Sequence, residues 1–463
     1  MVVTLWACNS TSLVRPSGEP SEVAKREFNA SPNRKLDLLF MIDDSLSMEG
    51  SQNKLRARLP DFMKALTVLP EGVLDLHLAV ISSSMGAGSF SNAGGSGCAH
   101  QPPGDDDGSF QHPAICTALK PGETFIKAGP GGNNFDGPIA DLFGCVALLG
   151  ASGCGFEQQF ASAERALQRA TNPADPVNGG FLRHDALLGV VMLTNEDDCS
   201  VSDDSTLLDP GQTTLADLLG GYQSYRCNEF GHLCDGMPPP HQLSGPIALH
   251  NCVSAEEKGR LKPVADFVSF LKQLKGDDLE NHNRVLVAAL TGKPDKYVVE
   301  MQPNDNLSPP QLQPAVQHSC TGSNPKEYGD PAVRIKTWVD AFGQNGVLES
   351  ICDDDYEMSM RKIADAIVRS LEPACIPANI RTRTDTGAPD CTVTELTNGD
   401  GQRPVNVTFC GTTPASFPCW RLTDDPGCSG QKVLRVCREA TCDPVKVPAD
   451  PRELSVSCSL TPR

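Results

Sequence analysis

The stretch LLFMIDDSLSM, residues 38–48, decides the fold, because five apolar residues end abruptly in two aspartates and two serines. The apolar run is short enough for a β-strand that is covered on both faces, as the strands of parallel sheets are. A core strand that ends in Asp43, Asp44, Ser45 and Ser47 has two interpretations. Either these residues cap the helix that follows, or their oxygen atoms bind a cation.

Strand-like runs recur along the chain and alternate with segments of helical periodicity. The later runs are DLHLAVISS (75–83), DALLGVVMLT (185–194) and RVLVAALTG (284–292). Pro60 lies inside the first helical segment, 53–66, and predicts a kink or a restart of the helix. The alternation predicts an α/β fold with a doubly wound, mostly parallel sheet and helices on both of its faces.

The 19 cysteines indicate an oxidising compartment. Cys8 stands alone, ten cysteines lie from Cys98 to Cys352, and eight lie from Cys375 to Cys458. The two even groups predict two separately disulfide-bonded domains. A bridge between Cys352 and Cys375, across the junction of the two groups, stays open as an alternative.

Changes in composition predict the domain organisation. A Ser-, Pro- and Glu-rich stretch is typical of a flexible tether, two long stretches interrupt the α/β pattern, and the last segment has short β-prone runs between cysteines. The predicted segments are a truncated signal sequence with a lipobox at 1–8, a tether at 9–33, the α/β domain at 34–374 with loop insertions at 84–138 and 198–252, and a small disulfide-rich β module at 375–463.

The stretch LWAC, residues 5–8, resembles a bacterial lipobox, in which a small residue precedes a cysteine that is acylated after cleavage. The apolar stretch before it is short and has no basic residues. Acylation would account for the odd cysteine count. We therefore expect a lipid anchor at Cys8 and a location in the bacterial cell envelope. We expect no other contact with a membrane, since no run of about 20 apolar residues occurs elsewhere.

The net charge of −19 argues against nucleic-acid binding, which requires clustered Lys and Arg. The histidines form no H-E-x-x-H pattern, and no Ser-His-Asp arrangement is recognisable, so we expect no enzymatic activity. The run CNEFGHLC, residues 227–234, leaves open a zinc loop through Cys227, His232 and Cys234. Disulfide bonds are favoured for these cysteines, because the chain is rich in cysteine.

Asp43, Ser45 and Ser47 have the spacing D-x-S-x-S at the carboxyl end of the first predicted strand. In open parallel sheets, ligands bind at the carboxyl ends of the strands, where the strand order reverses. A tight loop at that point can turn one carboxylate and two hydroxyls toward a single cation. Such hard oxygen donors suit Mg²⁺, Mn²⁺ or Ca²⁺. The alternative is an Asp or Ser N-cap for the following helix.

With this motif, the chain from 34 to 372 resembles a von Willebrand factor type A (vWA) domain. Asp43, Ser45 and Ser47 match the first element of the metal-ion-dependent adhesion site of that family. The family also uses a Thr from a second loop and an Asp from a third loop. The stretches SGCGFEQ and DDCS are similar to those of a bacterial, cysteine-rich branch of the family found in predicted lipoproteins.

The third loop departs from the family pattern. After the strand LLGVVML the chain has Thr194-Asn195-Glu196, where the family typically has Thr-Asp-Gly. The resemblance therefore implies that Asn195 contributes a neutral amide oxygen at a position where a carboxylate is usual. Glu196, Asp197 and Asp198 follow directly and are expected to restore the missing negative charge.

The second loop departs further, because GCGFEQQF stands where a Gly-x-Thr would precede the helix. Glu157, at the start of the predicted helix, is the expected oxygen donor of this loop. The alternative is that the helix dipole alone favours a carboxylate there. Asp44 adds a further acidic side chain beside Asp43.

The resemblance implies a surface-tethered, divalent-metal-dependent protein-binding or adhesion module, whose metal takes a carboxylate from a protein partner. If Asp43 and Glu157 both bind the metal, they neutralise a divalent cation, and its attraction for the partner's carboxylate is weaker. Two alternatives stay open. One is a metal-assisted hydrolase, which would need a general base in the acidic pocket, and the other is a scaffold whose metal site is vestigial.

Overall fold

The structure is a computed structural model of the chain. Its contacts divide the chain into two compact units, one formed by Pro32–Glu372 and the other by Met1–Ser31 with Pro373–Arg463. The structure describes the backbone of 25–29 and the residues 34–67, 74–90, 98, 105–256, 260–275, 284–304, 309–371, 376, 379–397, 405–411, 417–424, 432–437 and 452–461. The lipid anchor predicted at Cys8 lies outside these residues.

The strands and helices are numbered along the chain. The strands are β1 (Lys25–Asn29), β2 (Lys35–Ile42), β3 (Asp75–Ser82), β4 (Ile126–Ala128), β5 (Leu187–Leu193), β6 (His232–Cys234), β7 (Ile247–Leu249), β8 (Cys252–Ser254), β9 (Val285–Thr291), β10 (Tyr297–Asn304), β11 (Gln311–Val316), β12 (Cys320–Thr321), β13 (Tyr328–Gly329), β14 (Gly346–Ser350), β15 (Cys391–Thr397), β16 (Val405–Phe409), β17 (Cys419–Asp424), β18 (Lys432–Cys437) and β19 (Arg452–Ser459). The helices are α1 (Glu49–Thr67), α2 (Ile139–Val146), α3 (Gln159–Ala170), α4 (Tyr225–Gly231), α5 (Val264–Gln273), α6 (Val333–Asp340) and α7 (Glu357–Leu371), with 3-10 turns at Gly88–Phe90 and Gly343–Asn345.

The larger unit is built on a six-stranded sheet with the order β14-β9-β5-β2-β3-β4. Every neighbouring pair is parallel except β3 and β4, which are antiparallel. Chain order therefore runs outward in one direction from β2 and then outward in the other direction from β5. This arrangement confirms the predicted doubly wound, mostly parallel sheet and places its topological switch point between β2 and β5.

Two hydrophobic clusters cover the two faces of this sheet. One cluster includes Phe62 of α1, Phe143 of α2 and Ile363 of α7, and the other includes Phe160 of α3 and Trp338 of α6. The strands β5 and β9 are buried along their whole length, as expected for strands covered on both faces. Helices on both faces are therefore confirmed.

The helix does not restart at Pro60, because α1 is continuous from Glu49 to Thr67. Pro60 itself is exposed, whereas Leu59 and Phe62 beside it are buried in the core. Tertiary packing of the apolar face outweighs the single backbone hydrogen bond that proline removes from the helix.

Disulfide bonds hold the loop insertions of the larger unit. All ten cysteines from Cys98 to Cys352 are paired within the unit, as Cys98–Cys154, Cys116–Cys145, Cys199–Cys227, Cys234–Cys252 and Cys320–Cys352. The alternative bridge from Cys352 to Cys375 is therefore wrong. The alternative zinc loop is wrong too, since Cys227 and Cys234 are each bonded to another cysteine. The insertion predicted as a loop at 84–138 contributes β4 to the main sheet.

The smaller unit is a six-stranded sheet with the order β1-β19-β15-β16-β17-β18. Cys391–Cys458 and Cys410–Cys419 cross-link it, which confirms a disulfide-bonded β region after residue 375. The strand β1 lies within the segment predicted as a tether, and it pairs with β19 in antiparallel register from Lys25–Ser459 to Asn29–Ser455. In the described part of the chain, no helix has the length and apolar character needed to cross a bilayer.

A buried ion network is centred on Asp37 of β2. It lies toward the end of the sheet opposite the loop that contains Asp43. Asp37 is fully buried inside the apolar run of this strand. Its carboxylate accepts hydrogen bonds from the backbone N–H of Arg183 (2.7 Å) and from Arg183 Nε (2.8 Å), and Lys275 Nζ lies 3.6 Å away. Burial lowers the pKa of Lys275 to about 8, although Asp37 favours its charged form. The network therefore holds the segment before β5, through Arg183, against β2.

We expect Asp37→Ala to destabilise the larger unit by about 3–5 kcal/mol, because it leaves the fully buried Lys275 ammonium without its carboxylate, while Arg183 keeps only its ion pair with Asp75. Urea unfolding under oxidising conditions measures this loss. Asp136→Ala is the matched control, since Asp136 is exposed, and it should change stability by less than about 0.5 kcal/mol. Equal stabilities of the two variants would contradict this account of the network.

Candidate functional site

The first and third loops meet where the strand order reverses. The backbone N–H of Asp43 donates to the Leu193 carbonyl (2.9 Å), so β2 and β5 stay paired up to their last residues. Thr194 Oγ1 donates to Asp43 Oδ2 (2.8 Å), and Ser47 Oγ donates to Asn195 Oδ1 (3.1 Å). Residues of the first and third loops, about 150 positions apart in the sequence, therefore share one site at the carboxyl edge of the sheet.

The loop after β2 is folded around the Asp43 carboxylate. Asp43 Oδ1 accepts a hydrogen bond from the backbone N–H of Ser45 (2.8 Å), and the Gln52 side chain donates to the Asp43 carbonyl (2.9 Å). Helix α1 begins only at Glu49, and neither oxygen of the Asp43 side chain bonds to its first N–H groups. The structure therefore gives Asp43 a role in the loop rather than at the helix cap.

Two polar side-chain atoms in these loops are buried without a partner. Ser45 Oγ and Asn195 Nδ2 make no hydrogen bond of normal geometry with any described residue. A buried polar group without a partner costs about 1–3 kcal/mol. Rotation of the Asn195 amide exchanges its oxygen and nitrogen, so the amide can present either atom to the site. The Ser45 hydroxyl and the Asn195 amide can therefore still bind a ligand.

Glu157 lies two residues before α3 rather than in its first turn, since the helix begins at Gln159. Its side chain is buried, and its backbone carbonyl accepts a hydrogen bond from the N–H of Cys199 (2.8 Å). Burial, followed by the negative charges of Glu196 and Asp43, holds the pKa of Glu157 well above its ordinary value. The helix dipole would lower this pKa, so it does not dominate at Glu157.

Asp44 turns toward the second loop and the end of β3. Its carboxylate accepts a hydrogen bond from Ser84 Oγ (3.0 Å), and its backbone carbonyl accepts one from the N–H of Gly153 (2.8 Å). A Cβ atom on Gly153 would clash with the Asp44 carboxylate, so only glycine fits there. Burial, together with the neighbouring charge of Asp43, raises the pKa of Asp44 to about 7.

Glu196 faces the same acidic region from the third loop. Burial, followed by the charges of Asp330 and Asp43, raises its pKa to about 8. Asp330 is itself buried, and its backbone N–H donates to the Asn195 carbonyl (2.7 Å). Sequence reasoning missed Asp330, and only its position three residues before α6 could have pointed to it.

Asp197 and Asp198 do not join the other acidic residues. Asp197 accepts hydrogen bonds from His232 Nε2 (2.8 Å) and from two backbone N–H groups at the start of α6. Asp198 pairs with the buried guanidinium of Arg334 (2.9 Å) and accepts a hydrogen bond from the N–H of Phe160 in α3. Both carboxylates are therefore used to hold α3, α6 and the insertion in place.

The donors that converge are carboxylate, hydroxyl and amide oxygens, which are the ligands preferred by Mg²⁺, Mn²⁺ and Ca²⁺. Among the described residues, no three His, Cys, Asp or Glu side chains form a metal-binding group by themselves. A cation at this position would therefore depend on Ser45, Ser47 and Asn195 in addition to the carboxylates. The buried Ser45 hydroxyl, which makes no hydrogen bond of normal geometry, fits such a role.

We compared the chain with known proteins and report two solved structures to which it is similar. No protein-family model and no curated protein matches the chain. Among solved structures, a von Willebrand factor type A protein from Catenulispora acidiphila is 10% identical with a TM-score of 0.29, over 95% of this chain and 65% of that one. The pilus adhesin RrgA from Streptococcus pneumoniae is 8% identical with a TM-score of 0.27, over 94% of this chain and 58% of that one. The chain thus spans less than two-thirds of each of these proteins.

The raised pKa values predict a pH dependence of stability in EDTA. A carboxyl group whose pKa is higher in the folded than in the unfolded protein binds its proton more tightly when folded, so stability falls as pH rises above about 4. The fall due to Asp44 should level off above its folded pKa of about 7, and the fall due to Glu196 above its folded pKa of about 8. Asp44→Asn/Glu196→Gln should flatten the curve between pH 5.5 and 8.5.

Urea unfolding at several pH values in EDTA measures this difference. If the double variant and the wild type have parallel stability curves, the two carboxyl groups do not titrate in this range and the prediction is wrong. Addition of Mg²⁺ to the wild type should also flatten the curve, if the cation keeps the carboxylates ionised.

Proposed function

We propose that the carboxyl edge of the sheet binds one divalent cation, Mg²⁺, Mn²⁺ or Ca²⁺, and that the occupied site binds a protein partner. Asp43, Ser45 and Ser47 are the core ligands, and Glu157 and Asn195 complete the shell directly or through water. The protein is then a surface-tethered, metal-dependent adhesion module rather than an enzyme.

One observation carries this proposal. Asp43, Ser45 and Ser47 lie at the topological switch point, and the buried Ser45 hydroxyl lies beside the Asp43 carboxylate without a hydrogen bond of normal geometry. Protein interiors rarely leave a polar group in this state unless a ligand or water uses it. The negative charge of Asp43 raises the pKa values of both Glu157 and Asp44, and a bound cation would relieve that repulsion.

The partner is expected to offer a carboxylate to the open position of the metal. With Asp43 and Glu157 both ionised, the cation is already neutralised, so the attraction for that carboxylate is weaker than at a site with one acidic ligand. Affinity for the partner would then depend on additional contacts around the site. A neutral Asn195 moderates the negative charge and keeps the open position usable.

The loss of metal binding in two variants tests the proposal. Asp43→Ala should abolish Mg²⁺ and Mn²⁺ binding, because it removes the central charged ligand, whereas Ser45→Ala should weaken binding by about tenfold through loss of one neutral donor. Isothermal titration calorimetry on the oxidised protein measures both effects. Asp141→Ala removes an exposed carboxylate at α2 and is the matched control.

The two variants should also separate binding from folding. Ser45→Ala should lose metal affinity with an unchanged unfolding free energy in EDTA, which supports a ligand role. Asp43→Ala also removes the acceptor of the Thr194 hydroxyl, so its stability in EDTA should fall as well. If Asp43→Ala binds metal as tightly as Asp141→Ala, the proposed ligand set is wrong, and the chain is better described as a disulfide-bonded scaffold with a vestigial site.

A charge added at the third loop should strengthen the site. We expect Asn195→Asp to bind Mg²⁺ several-fold more tightly than the wild type, because a carboxylate replaces the amide whose oxygen lies 3.1 Å from Ser47 Oγ. The same calorimetric titration measures it, with Asn133→Asp at an exposed position as the control. Equal or weaker binding would remove Asn195 from the ligand set.

The tether belongs to the same proposal. The disulfide bonds indicate an oxidising compartment, and an acyl chain on Cys8 would hold the module at the cell envelope. Cell fractionation should find the wild-type protein with membranes and Cys8→Ser in the soluble fraction. Mass spectrometry that shows an unmodified Cys8 in the mature wild-type protein would refute the anchor.

A further inference from the structure

Tyr328 reaches the candidate site but belongs neither to the sequence motif nor to the proposed ligand set. It lies on β13, two residues before Asp330, whose backbone N–H donates to the Asn195 carbonyl (2.7 Å). Its hydroxyl lies beside the side chains of Ser47 and Asn195, which belong to the first and third loops. The hairpin formed by β12 and β13 therefore brings a further polar group to the edge of the proposed metal site.

Tyr328 differs from tyrosines that serve the internal packing of the larger unit. Tyr225 and Tyr356 are buried, and each hydroxyl donates to a backbone carbonyl, at 2.8 and 2.9 Å. Tyr328 is only half-buried, and its hydroxyl lies among side chains that also face the proposed cation. A phenol group in this position can donate a hydrogen bond to a ligand that arrives from solvent.

The fold holds the Tyr328 ring in a defined orientation. The ring stacks on His318 with the two centroids 3.7 Å apart, and His318 Nδ1 lies 2.6 Å from Asp330 Oδ1. The disulfide bond Cys320–Cys352 joins the hairpin to the segment that follows β14. Because these contacts orient the hydroxyl before a ligand arrives, a new bond to a ligand costs less conformational entropy.

The Tyr328 hydroxyl is a neutral donor in acidic surroundings. Burial, followed by the negative charges of Glu196 and Asp330, raises the pKa of Tyr328 above its ordinary value. The group therefore keeps its proton at neutral pH. The carboxylates of the site repel an incoming anion, whereas a protonated hydroxyl beside them attracts one by donating a hydrogen bond.

We propose that the Tyr328 hydroxyl donates a hydrogen bond to the partner's carboxylate when that carboxylate occupies the open position of the metal. This inference rests on the proposed function and deepens it. If Asp43 and Glu157 already neutralise the cation, the carboxylate needs an additional contact, and Tyr328 supplies it. Hydrogen bonds to an ionised acceptor are about twice as strong as those between neutral groups, so Tyr328 selects a carboxylate over an amide of the same shape.

Two measurements on the full oxidised chain test the inference with the variant Tyr328→Phe. The substitution removes the hydroxyl and keeps the ring that stacks on His318. In isothermal titration calorimetry the variant should bind Mn²⁺ with the wild-type affinity, because the proposed metal ligands are unchanged. The second measurement uses the blocked peptide acetyl-Gly-Asp-Gly-amide and its Asn counterpart as probes. Proton NMR follows the broadening of the peptide signals by protein-bound Mn²⁺, with the protein in excess over the metal.

We expect Tyr328→Phe to weaken binding of the Asp peptide to the Mn²⁺-loaded protein by about tenfold, because the charge-assisted hydrogen bond is lost. The Asn peptide should bind the wild type at least about tenfold more weakly than the Asp peptide does. Tyr225→Phe is the matched control, since its hydroxyl bonds to the Pro240 carbonyl, and it should bind the Asp peptide as the wild type does.

Equal binding of the Asp peptide by Tyr328→Phe and the wild type would overturn the inference while leaving the proposed metal site in place. A loss of Mn²⁺ affinity in Tyr328→Phe would also overturn it, because the hydroxyl would then support the metal ligands. So would a wild type that binds Mn²⁺ but neither peptide. A wild type that binds no Mn²⁺ in calorimetry would overturn the proposed function itself, and this inference with it.

Discussion

The pairing of β2 with β5 at their carboxyl ends is the constraint on which the rest of the site depends. The Asp43 N–H group continues the ladder to Leu193, and the Thr194 hydroxyl then bonds to the Asp43 carboxylate at 2.8 Å. These two bonds join the first and third loops before any ligand is present. Because the chain leaves β2 in one direction and β5 in the other, the loops diverge from this point and leave room beside it.

Two buried carboxylates of the scaffold beneath this point are neutralised by ion pairs. Asp37 is bound by Arg183 and Lys275 at one end of the sheet, and Asp198 is bound by Arg334 near the other. The carboxylates of Asp43, Asp44 and Glu157 differ, since no described Lys or Arg forms an ion pair with them, and the charge of Asp43 adds to burial in raising the pKa values of Asp44 and Glu157. The contrast between neutralised and crowded acidic groups separates the structural charges from the candidate ligands.

Much of this arrangement could be predicted from the sequence, because it follows from local pattern. The apolar run that ends in Asp43 gave β2, and the alternation of runs with helical segments gave the doubly wound sheet. The role of Asp197 and Asp198 could not be predicted, since their partners His232 and Arg334 are distant in sequence. The sequence alone does not distinguish three adjacent acidic residues. In the fold, Glu196 faces the site, whereas Asp197 and Asp198 face away from it.

The same limit applies to Asp37, Asp330 and Gly153. Asp37 is a single charged residue inside an apolar strand. Its burial is explained only by Arg183, which the fold places beside it. Asp330 reaches the site because β13 returns the chain to the end of β5. The need for glycine at 153 arises from close approach to Asp44, a contact between residues more than a hundred positions apart.

The central claim is that the site binds a divalent cation in the folded state. Thermal unfolding of the oxidised wild-type protein, with EDTA and with increasing Mg²⁺ or Mn²⁺, tests it most directly, because a ligand that binds only the folded state raises stability by RT ln(1 + [L]/Kd). The account predicts a melting temperature that rises with cation concentration and returns to its starting value in EDTA. A melting temperature that stays constant up to millimolar cation would contradict it.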